Sequence, residues 1–343
     1  MVYFLGRTWS RQELLQHVGH IEQIAGIKAA ALADGIERGV RMFHVYTGTG
    51  LAFTVLADRA LDISACNYRG LSLAWASSAG QVSPAYYEAT GLGWLRSFQG
   101  GLFVTCGLDQ FGAPATDAAE DFGLNGRVSN LTAHQVSYRT HWLDDEYELE
   151  ISGQVRQTRL FGENLVLHRR ITTRLGSNQI RIEDTVTNEG FTAQPHMILY
   201  HCNLGFPLIS EDTTLHMDVE QTVARDADAE TGLDTWRTFQ PPTPAYREQV
   251  FRHMPRAGSD GQVSVEIKNP QINFGLRLSY NAGNLPHLFQ WKMMGQGAYV
   301  LGLEPANSNA IEGRAVARQR NDLPHLEPGE SRIYILTFEI IKV

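Results

Sequence analysis

Apolar and polar residues alternate along most of this chain with the period of two that is typical of β-strands. Residues 41–57, RMFHVYTGTGLAFTVLA, hold two such runs around Gly48-Thr49-Gly50, and the glycines predict a hairpin. Further runs are separated by Asp, Asn and Gly: HQVSYRTHW, YELEISGQVRQT, NLVLHRRITTRLG, NQIRIEDTVTNEG, QVSVEIKN, FGLRLSYNAG, HLFQWKMMGQGAYVLGLEP and SRIYILTFEII. Helical signal is scarce, but Ser10 and Glu13 precede LLQHV as a capping box and predict one short helix.

This order of elements indicates an all-β protein. The strands do not alternate with helices, which argues against a doubly wound α/β sheet. No repeat of 20–50 residues is visible, which argues against a propeller. Because no Pro/Gly/Ser-rich linker divides the chain, we expect one large antiparallel β-sandwich domain over residues 1–343. Residues 1–40, with the short helix, would form an N-terminal segment packed on it.

Composition and charge narrow the functional class. The chain is 43% hydrophobic, and 29 Lys and Arg against 37 Asp and Glu give a net charge of −8, which argues against nucleic acid as a partner. No apolar run of 18 residues predicts a membrane span, and the N-terminus shows no secretory signal. The three cysteines form no C-x-x-C pair. We therefore expect a cytoplasmic protein with free thiols. No pattern predicts a metal or nucleotide site.

Polar side chains interrupt one strongly apolar strand. In PHMILYHCNLGFPLIS, residues 195–210, the alternation puts Met197, Leu199, His201 and Asn203 on one face. His201 is either a core histidine bonded to a neighbouring carbonyl or a side chain aimed into a cavity. His196 lies five residues before it and so on the opposite face, which argues against a metal shared by the two.

A second strand carries a carboxylate in a similar setting. In AYVLGLEPANSNAIEG, residues 298–313, one face bears small residues and ends in Glu304, and Pro305 is expected to stop the strand. A Glu at a strand end can simply face solvent. We instead expect Glu304 and His201 to converge, because both stand at predicted strand ends on polar faces.

The strand before it shows the same division. In HLFQWKMM, Phe289, Trp291 and Met293 are predicted to face the core, and Gln290 and Lys292 a polar cleft. We expect a three-residue turn at Gly295-Gln296-Gly297, which puts Lys292 on the same side as Glu304, whereas a four-residue turn would reverse its face.

Several segments carry a resemblance to a known family. These are VLADRALDI (residues 55–63), GLNGRVSN (123–130), LYHCNLGFPL (199–208), QWKMMGQGAYVLGLEPANS (290–308) and the terminal LEPGESRIYILTFEI. The chain resembles the aldose 1-epimerase (galactose mutarotase) superfamily, most closely its bacterial "aldose 1-epimerase family protein" branch. The resemblance spans residue 40 to the C-terminus. It implies a β supersandwich with a sugar-binding cleft.

The resemblance also implies roles for residues. Mutarotases interconvert sugar anomers by opening and closing the pyranose ring, with a Glu as base and a His as acid, without metal or cofactor. Carried over by position, Glu304 is the base and His201 the acid, and Arg59 and Lys292 donate to sugar hydroxyls. The other candidate sugar contacts are Asn125, Arg127, Asn203, Asp109 and Asn307.

One departure leaves alternatives open. Asn125 stands where mutarotases carry a second His, and an amide cannot carry a proton through a catalytic cycle. His201 could suffice as acid, the reaction could be slower or different, or the protein could be a catalytically silent carbohydrate-binding or regulatory protein. Arginines such as Arg59 and Arg127 leave open an acidic or phosphorylated sugar as well as purely structural roles. A sugar lyase or hydrolase would need a second acid, for which Glu312 is available.

Overall fold

The computed structural model describes residues 1–343, about 50% of them in strands and 10% in helices. The strands are β1 Val2–Phe4, β2 Arg7–Trp9, β3 Gly26–Ala31, β4 Arg41–Tyr46, β5 Leu51–Leu56, β6 Asp62–Tyr68, β7 Leu71–Ser72, β8 Phe103–Leu108, β9 Ala115–Asp117, β10 Glu120–Phe122, β11 His134–Leu143, β12 Glu146–Thr158, β13 Asn164–Arg174, β14 Gln179–Asn188, β15 Gln194–Pro195, β16 Met197–Gly205, β17 Thr214–Met217, β18 Val219–Ala224, β19 Gln249–Pro255, β20 Gln262–Asn269, β21 Phe274–Asn281, β22 His287–Gly295, β23 Ala298–Ala306, β24 His325–Leu326 and β25 Ser331–Lys342. The α-helices are α1 Arg11–Leu15, α2 Ala227–Glu230 and α3 Arg314–Gln319. Short 3₁₀ turns lie at Ile21–Gln23, Gly35–Glu37, Pro84–Tyr86, Gly93–Arg96, Val128–Asn130 and Pro270–Ile272.

Two antiparallel sheets form the body of the molecule. The large sheet has 11 strands in the order β18-β19-β22-β23-β16-β8-β6-β5-β4-β3, with β7 paired to β6. The small sheet has eight strands in the order β11-β12-β13-β14-β25-β21-β20-β17. The predicted all-β antiparallel fold is therefore confirmed.

The main core lies between the two sheets, and β16 shows how the alternation fills it. Ile198, Tyr200 and Cys202 point into this core. Met197 and Leu199 belong to a smaller apolar cluster on the other face of the large sheet. This outer face is where His201 emerges, as the alternation predicts.

A buried ion network links the sheets directly behind β16. The Arg169 guanidinium, on β13, lies 2.7 Å from Asp62 on β6 and 2.6 Å from Asp184 on β14. The Tyr200 hydroxyl on β16 donates to the same Asp184 carboxylate at 2.7 Å. Because every member is paired inside the core, the network fixes β16 against the small sheet.

Connections between strands cover the outer face of the large sheet. The smaller cluster combines Trp94, Phe98 and Phe111 from loops with Ala310 and Ala317 from the segment around α3. This cover leaves a cleft over β16 and β23.

The N-terminal predictions are met in two details. Ser10 and Glu13 cap α1 reciprocally as a capping box, and β4 and β5 form the predicted hairpin around Gly48 and Gly50. Residues 26–31 pair with β4 and so extend the large sheet at its edge. No helix of the molecule is both long and apolar enough to cross a membrane.

Candidate functional site

His201 and Glu304 meet on neighbouring central strands of the large sheet. Cys202 pairs with Leu303 and Leu199 with Ala306, which places His201 opposite Glu304 on the outer face. His201 Nε2 lies 3.3 Å from Glu304 Oε1, and the two residues are only 8% and 3% exposed. The predicted convergence is confirmed, but for a different reason. Both residues lie within their strands, and β23 continues through Pro305 to Ala306.

The pair faces a cavity of about 470 Å³ with a largely apolar lining. The walls come from loop positions 92–98, 112–113, 124–125, 225, 248 and 311–312 and from Val250 and Trp291 on strands. The ring centroids of Phe98 and Trp291 lie 5.1 and 5.6 Å from that of His201. This is a concave, mostly apolar pocket with a few convergent polar groups, the usual form of a small-molecule site.

Burial sets the protonation of the pair. It raises the pKa of Glu304 to about 8, with a further rise from the nearby charge of Glu248 and an opposing effect from Arg225. It also lowers the pKa of His201 to about 4. Both shifts favour the uncharged forms, because a low-dielectric site disfavours charge. The pocket therefore holds a neutral carboxylic acid beside a neutral imidazole at pH 7.

Asn203 lies beside His201 on the same face of β16. Its Nδ2 donates to the carbonyls of Gly101 and His201, at 3.2 and 2.8 Å. Its Oδ1 and the Nδ1 of His201 are both buried without a hydrogen-bond partner, although the Asn203 side chain acts against the lowering of the His201 pKa. Asn203 does not line the cavity, and its amide bonds to the backbone of β16 and of the segment before β8.

Asn125 lines the cavity, as expected for a sugar contact. Its backbone has a positive φ of 57°, which asparagine tolerates better than most residues. Its Oδ1 accepts from the Gly112 backbone N–H at 3.0 Å. The side chain thus fixes a neighbouring loop and keeps its Nδ2 as a donor.

Comparisons with known proteins now identify the family. The family model described as "Domain of unknown function (DUF4432)" matches residues 37–340. The chain belongs to the DUF4432 family. Among proteins with curated descriptions, none matches it at a significant level.

Solved structures extend this identification to the fold. A Klebsiella pneumoniae protein described as a "putative aldose 1-epimerase" has a TM-score of 0.87 and 26% identity, covering 94% of this chain and 86% of that one. A galactose mutarotase-like protein from Clostridium acetobutylicum reaches a TM-score of 0.64 at 12% identity, covering 94% and 100%. Galactose 1-epimerase from Lactobacillus acidophilus reaches 0.57 at 13% identity, covering 93% and 99%. This DUF4432 protein thus has the galactose mutarotase-like fold that its sequence motifs indicate.

The two predicted arginines lie away from the pocket in this DUF4432 protein. Arg59 is 1% exposed, and its guanidinium donates to the carbonyls of Ser129, Val82 and Ser97 at 2.7–2.8 Å. Arg127 lies on the surface and does not line the cavity. Arg59 therefore clamps loops and is not positioned to bind a sugar hydroxyl in this pocket.

Asp109 and Asn307 are also engaged within the protein. Asp109 accepts from Gln157 Nε2 at 2.6 Å and lies 3.5 Å from Arg314. Asn307 accepts from the Ile198 N–H at 2.8 Å and donates to the His196 carbonyl at 2.9 Å. Neither lines the cavity. Both residues act as connectors between strands and loops.

The prediction for Lys292 is wrong. Gly295 pairs with Ala298, so the turn has two residues and Lys292 faces Leu301. Its face is therefore opposite to that of Glu304. Lys292 is 1% exposed on the core side, where its ammonium donates to the Thr235 carbonyl at 2.9 Å. The predicted three-residue turn would have reversed this arrangement.

The same register explains which site residues the sequence prediction missed. Trp291 lines the cavity, although the pattern assigned its face to the core. Its Nε1 donates to Glu248 at 2.8 Å, and Glu248 also accepts from Arg225 at 2.9 Å. An apolar strand face that lines a pocket has the same pattern as one that packs in a core, so the sequence carried no signal that separates the two.

Glu312 also reaches the cavity wall. It is paired with Arg252 and, at 3.1 Å, with Arg320, and hydrogen bonds from both arginines lower its pKa against the opposing effect of burial. It is thus held as a carboxylate. No group of three or more His, Cys, Asp or Glu side chains is arranged to hold a metal ion.

Proposed function

We propose that this protein is an aldose 1-epimerase-like enzyme that interconverts sugar anomers by acid/base ring opening. The observation that carries the proposal is the 3.3 Å approach of His201 Nε2 to Glu304 Oε1 on the wall of the pocket. Ring opening needs a base at the anomeric hydroxyl and an acid at the ring oxygen, and both oxygens are bonded to the same carbon. A base and an acid that serve them must therefore be immediate neighbours.

In this proposal the pair exchanges one proton in each direction. The step starts from the ion-pair form, reached when the Glu304 proton moves to His201 Nε2 over the 3.3 Å between them. The Glu304 carboxylate then takes the proton of the anomeric hydroxyl and the His201 imidazolium gives one to the ring oxygen, so the bond from the anomeric carbon to the ring oxygen breaks and an aldehyde forms. Glu304 ends protonated and His201 neutral, the forms that burial favours. Rotation of the aldehyde followed by the reverse transfers closes the ring as the other anomer and restores the pair.

A catalytically silent carbohydrate-binding protein is the alternative. It is favoured by Asn125, whose amide can donate but not transfer a proton and whose Oδ1 is already bonded to a backbone N–H. A hydrolase or lyase that uses Glu312 as its acid is not supported, because two arginines hold that side chain as a carboxylate.

The proposed ligand is an uncharged sugar. Two carboxylates that are charged at pH 7, Glu248 and Glu312, line the cavity, and Arg225 is the one permanently charged cation among the lining residues. Arg225 is already paired with Asp226 and Glu248, at 2.7 and 2.9 Å. Since Arg59 and Arg127 do not line the cavity either, the charges argue against an acidic or phosphorylated sugar.

Saturation-transfer NMR of anomer exchange over a panel of aldoses tests the proposal. We expect Glu304→Gln and His201→Asn each to reduce enzyme-dependent exchange by about 10²–10⁴-fold while sugar still binds. The matched control, Glu211→Gln at an exposed loop position, should exchange sugars at the wild-type rate. Binding to the wild type without exchange would support the silent alternative, and full exchange in both pocket variants would overturn the assigned roles.

A further inference from the structure

A second cavity adjoins the pocket. It has a volume of about 310 Å³ and shares Leu95, Phe98, Trp291 and Glu248 with the pocket as a common wall. We propose that this cavity, the outer groove, binds a second sugar residue, linked glycosidically to the one whose ring opens. The preferred substrate is then a reducing disaccharide or a longer saccharide, an inference that rests on the proposed function for its catalytic part.

A continuous row of aromatic rings joins the two cavities. The row starts at His201, whose centroid lies 5.1 Å from Phe98 and 5.6 Å from Trp291. Both of these rings in turn approach Trp75, at 5.8 and 5.9 Å. The apolar faces of sugar rings pack on aromatic side chains, which offer a large rigid surface with a polar handle. One ring at His201 and a second at Trp75 would lie along this row.

Trp75 is held firmly in the groove. Its N–H donates to the Asn203 carbonyl at 3.0 Å, and its own carbonyl accepts from Gly101 at 2.7 Å. Two glycines allow this close approach. A Cβ at Gly205 would lie 2.9 Å from the Trp75 Cα, and one at Gly100 would lie 2.5 Å from its carbonyl oxygen. Because the backbone that carries the indole is fixed in place, only the side-chain torsions of Trp75 remain to be ordered on binding.

Trp291 is fixed between the cavities by its bond to Glu248, at 2.8 Å. His201 and Glu304, the reactive pair, line the first pocket and not the outer groove. Only the reducing-end residue of a saccharide has a free anomeric hydroxyl, so that residue must occupy the pocket. The residue attached to it would then lie in the outer groove and remain chemically unchanged.

The test compares monosaccharides with reducing disaccharides that share the same reducing residue. Exchange of glucose and galactose is measured beside 1→3, 1→4 and 1→6 disaccharides of both linkage configurations. We expect at least one disaccharide to have a kcat/KM about tenfold above that of its monosaccharide. Trp75→Ala should bring this ratio to about one, and Trp75→Phe should restore most of it. Ser78→Trp, at an exposed position on the groove wall, should also lower the ratio by filling the groove and does not depend on removing Trp75.

Dissociation constants measured on Glu304→Gln give a second readout that needs no catalysis. Tighter disaccharide binding that Trp75→Ala abolishes, with no exchange in the wild type, would support the outer groove and defeat the proposed chemistry. Exchange that is equal for mono- and disaccharides and insensitive to Trp75 and Ser78 would overturn the outer groove alone. Absence of both exchange and binding for every sugar would overturn both.

Discussion

The Glu304–His201 pair holds one acidic proton that can sit on either side chain. Carboxylic acid with imidazole and carboxylate with imidazolium have the same number of protons and the same net charge. Burial raises the pKa of Glu304 to about 8 and lowers that of His201 to about 4, so the first form is the resting one. The ion pair is reached by moving that proton over the 3.3 Å between Oε1 and Nε2, without exchange with solvent.

This sharing predicts the pH dependence of exchange. Above about pH 8 the pair loses its proton and has no acid, and below about pH 4 it gains a second and has no base. We therefore expect enzyme-dependent exchange to be nearly flat between these limits and to fall on both sides. Exchange rates corrected for buffer-catalysed mutarotation at each pH measure this. A rate that climbs steadily through pH 5–7, where a free His titrates, would contradict a shared proton.

At the scale of the element, the β22–β23 hairpin decides which side chains meet the ligand. Gln296 and Gly297 form a two-residue turn, and Gly297 has a φ of 74°. The sequence predicted the hairpin and the alternation along each strand correctly. The predicted turn, however, was one residue longer than the one in the structure, and that difference reverses the face of every side chain of β22 relative to β23. Glycines at both 295 and 297 allow either length, so local pattern could not choose. The polar face was also assumed to be the cleft face, whereas here Lys292 points into the core.

The buried position of Lys292 predicts a stability effect that is separate from sugar exchange. Burial lowers the pKa of Lys292 from 10.5 to about 8. Between these values the unfolded chain binds the proton that the folded one has lost, so this group makes stability rise with pH. Between pH 8 and 10 this group should contribute about 2 kcal/mol to the rise in the free energy of unfolding, and Lys292→Met should abolish that contribution, as measured by urea unfolding at the two pH values. Exchange should be unchanged at pH 7, because Lys292 lies behind the sheet. Lys342→Met, at an exposed position, is the control, and a variant with altered sugar affinity would refute this placement.

The connection between β5 and β6 gives a second prediction at this scale. Arg59 satisfies three carbonyls from three different loops, and a buried carbonyl left without a partner costs about 1–3 kcal/mol. Arg59→Met should therefore lower the free energy of unfolding by at least about 3 kcal/mol. Arg127→Met, at the surface, should change it by less than about 0.5 kcal/mol. Equal small losses in urea titrations of the two variants would show that Arg59 does not clamp these loops.

At the scale of the whole molecule, the net negative charge and the charged residues of the cavity wall both disfavour the binding of anionic ligands. The net charge is −8. With Glu304 protonated at pH 7, the charged residues that line the cavity are two glutamates, Glu248 and Glu312, and one arginine, Arg225. We expect a neutral aldose to bind at least about tenfold more tightly than its uronic acid or 6-phosphate. Titrations at two salt concentrations measure this. The difference should narrow as salt rises, because screening weakens interactions between exposed charges. Tighter binding of the acidic sugar would reverse the assignment of ligand class.

The whole chain also shows how far sequence reasoning reaches. Periodicity predicted the strands, and the alternation of side chains along β16 predicted that His201 shares a face with Met197 and Leu199, since both depend only on local order. Arg59, Asp109 and Asn307 were predicted to contact the sugar but do not line the cavity. A polar residue in a matching segment can bind either a ligand or other groups of the protein. Whether it binds a ligand or the protein depends on which carbonyls and N–H groups of distant loops lie beside it, such as the Ser129 carbonyl beside Arg59. The alternation of side chains within one segment does not show which distant loops will lie beside it.

The reactive pair and the walls of the pocket belong to different kinds of structure. His201 and Glu304 lie on β16 and β23, each of which is paired on both sides within the large sheet. Most of the wall comes from loops, which tolerate insertions and replacements far better than central strands do. A lineage with this fold could therefore change its ligand by remodelling loops while its carboxylate and imidazole stay in place. Under the proposed chemistry, a single substitution at Glu304 would leave the walls intact, so an enzyme and a sugar sensor would be one mutation apart.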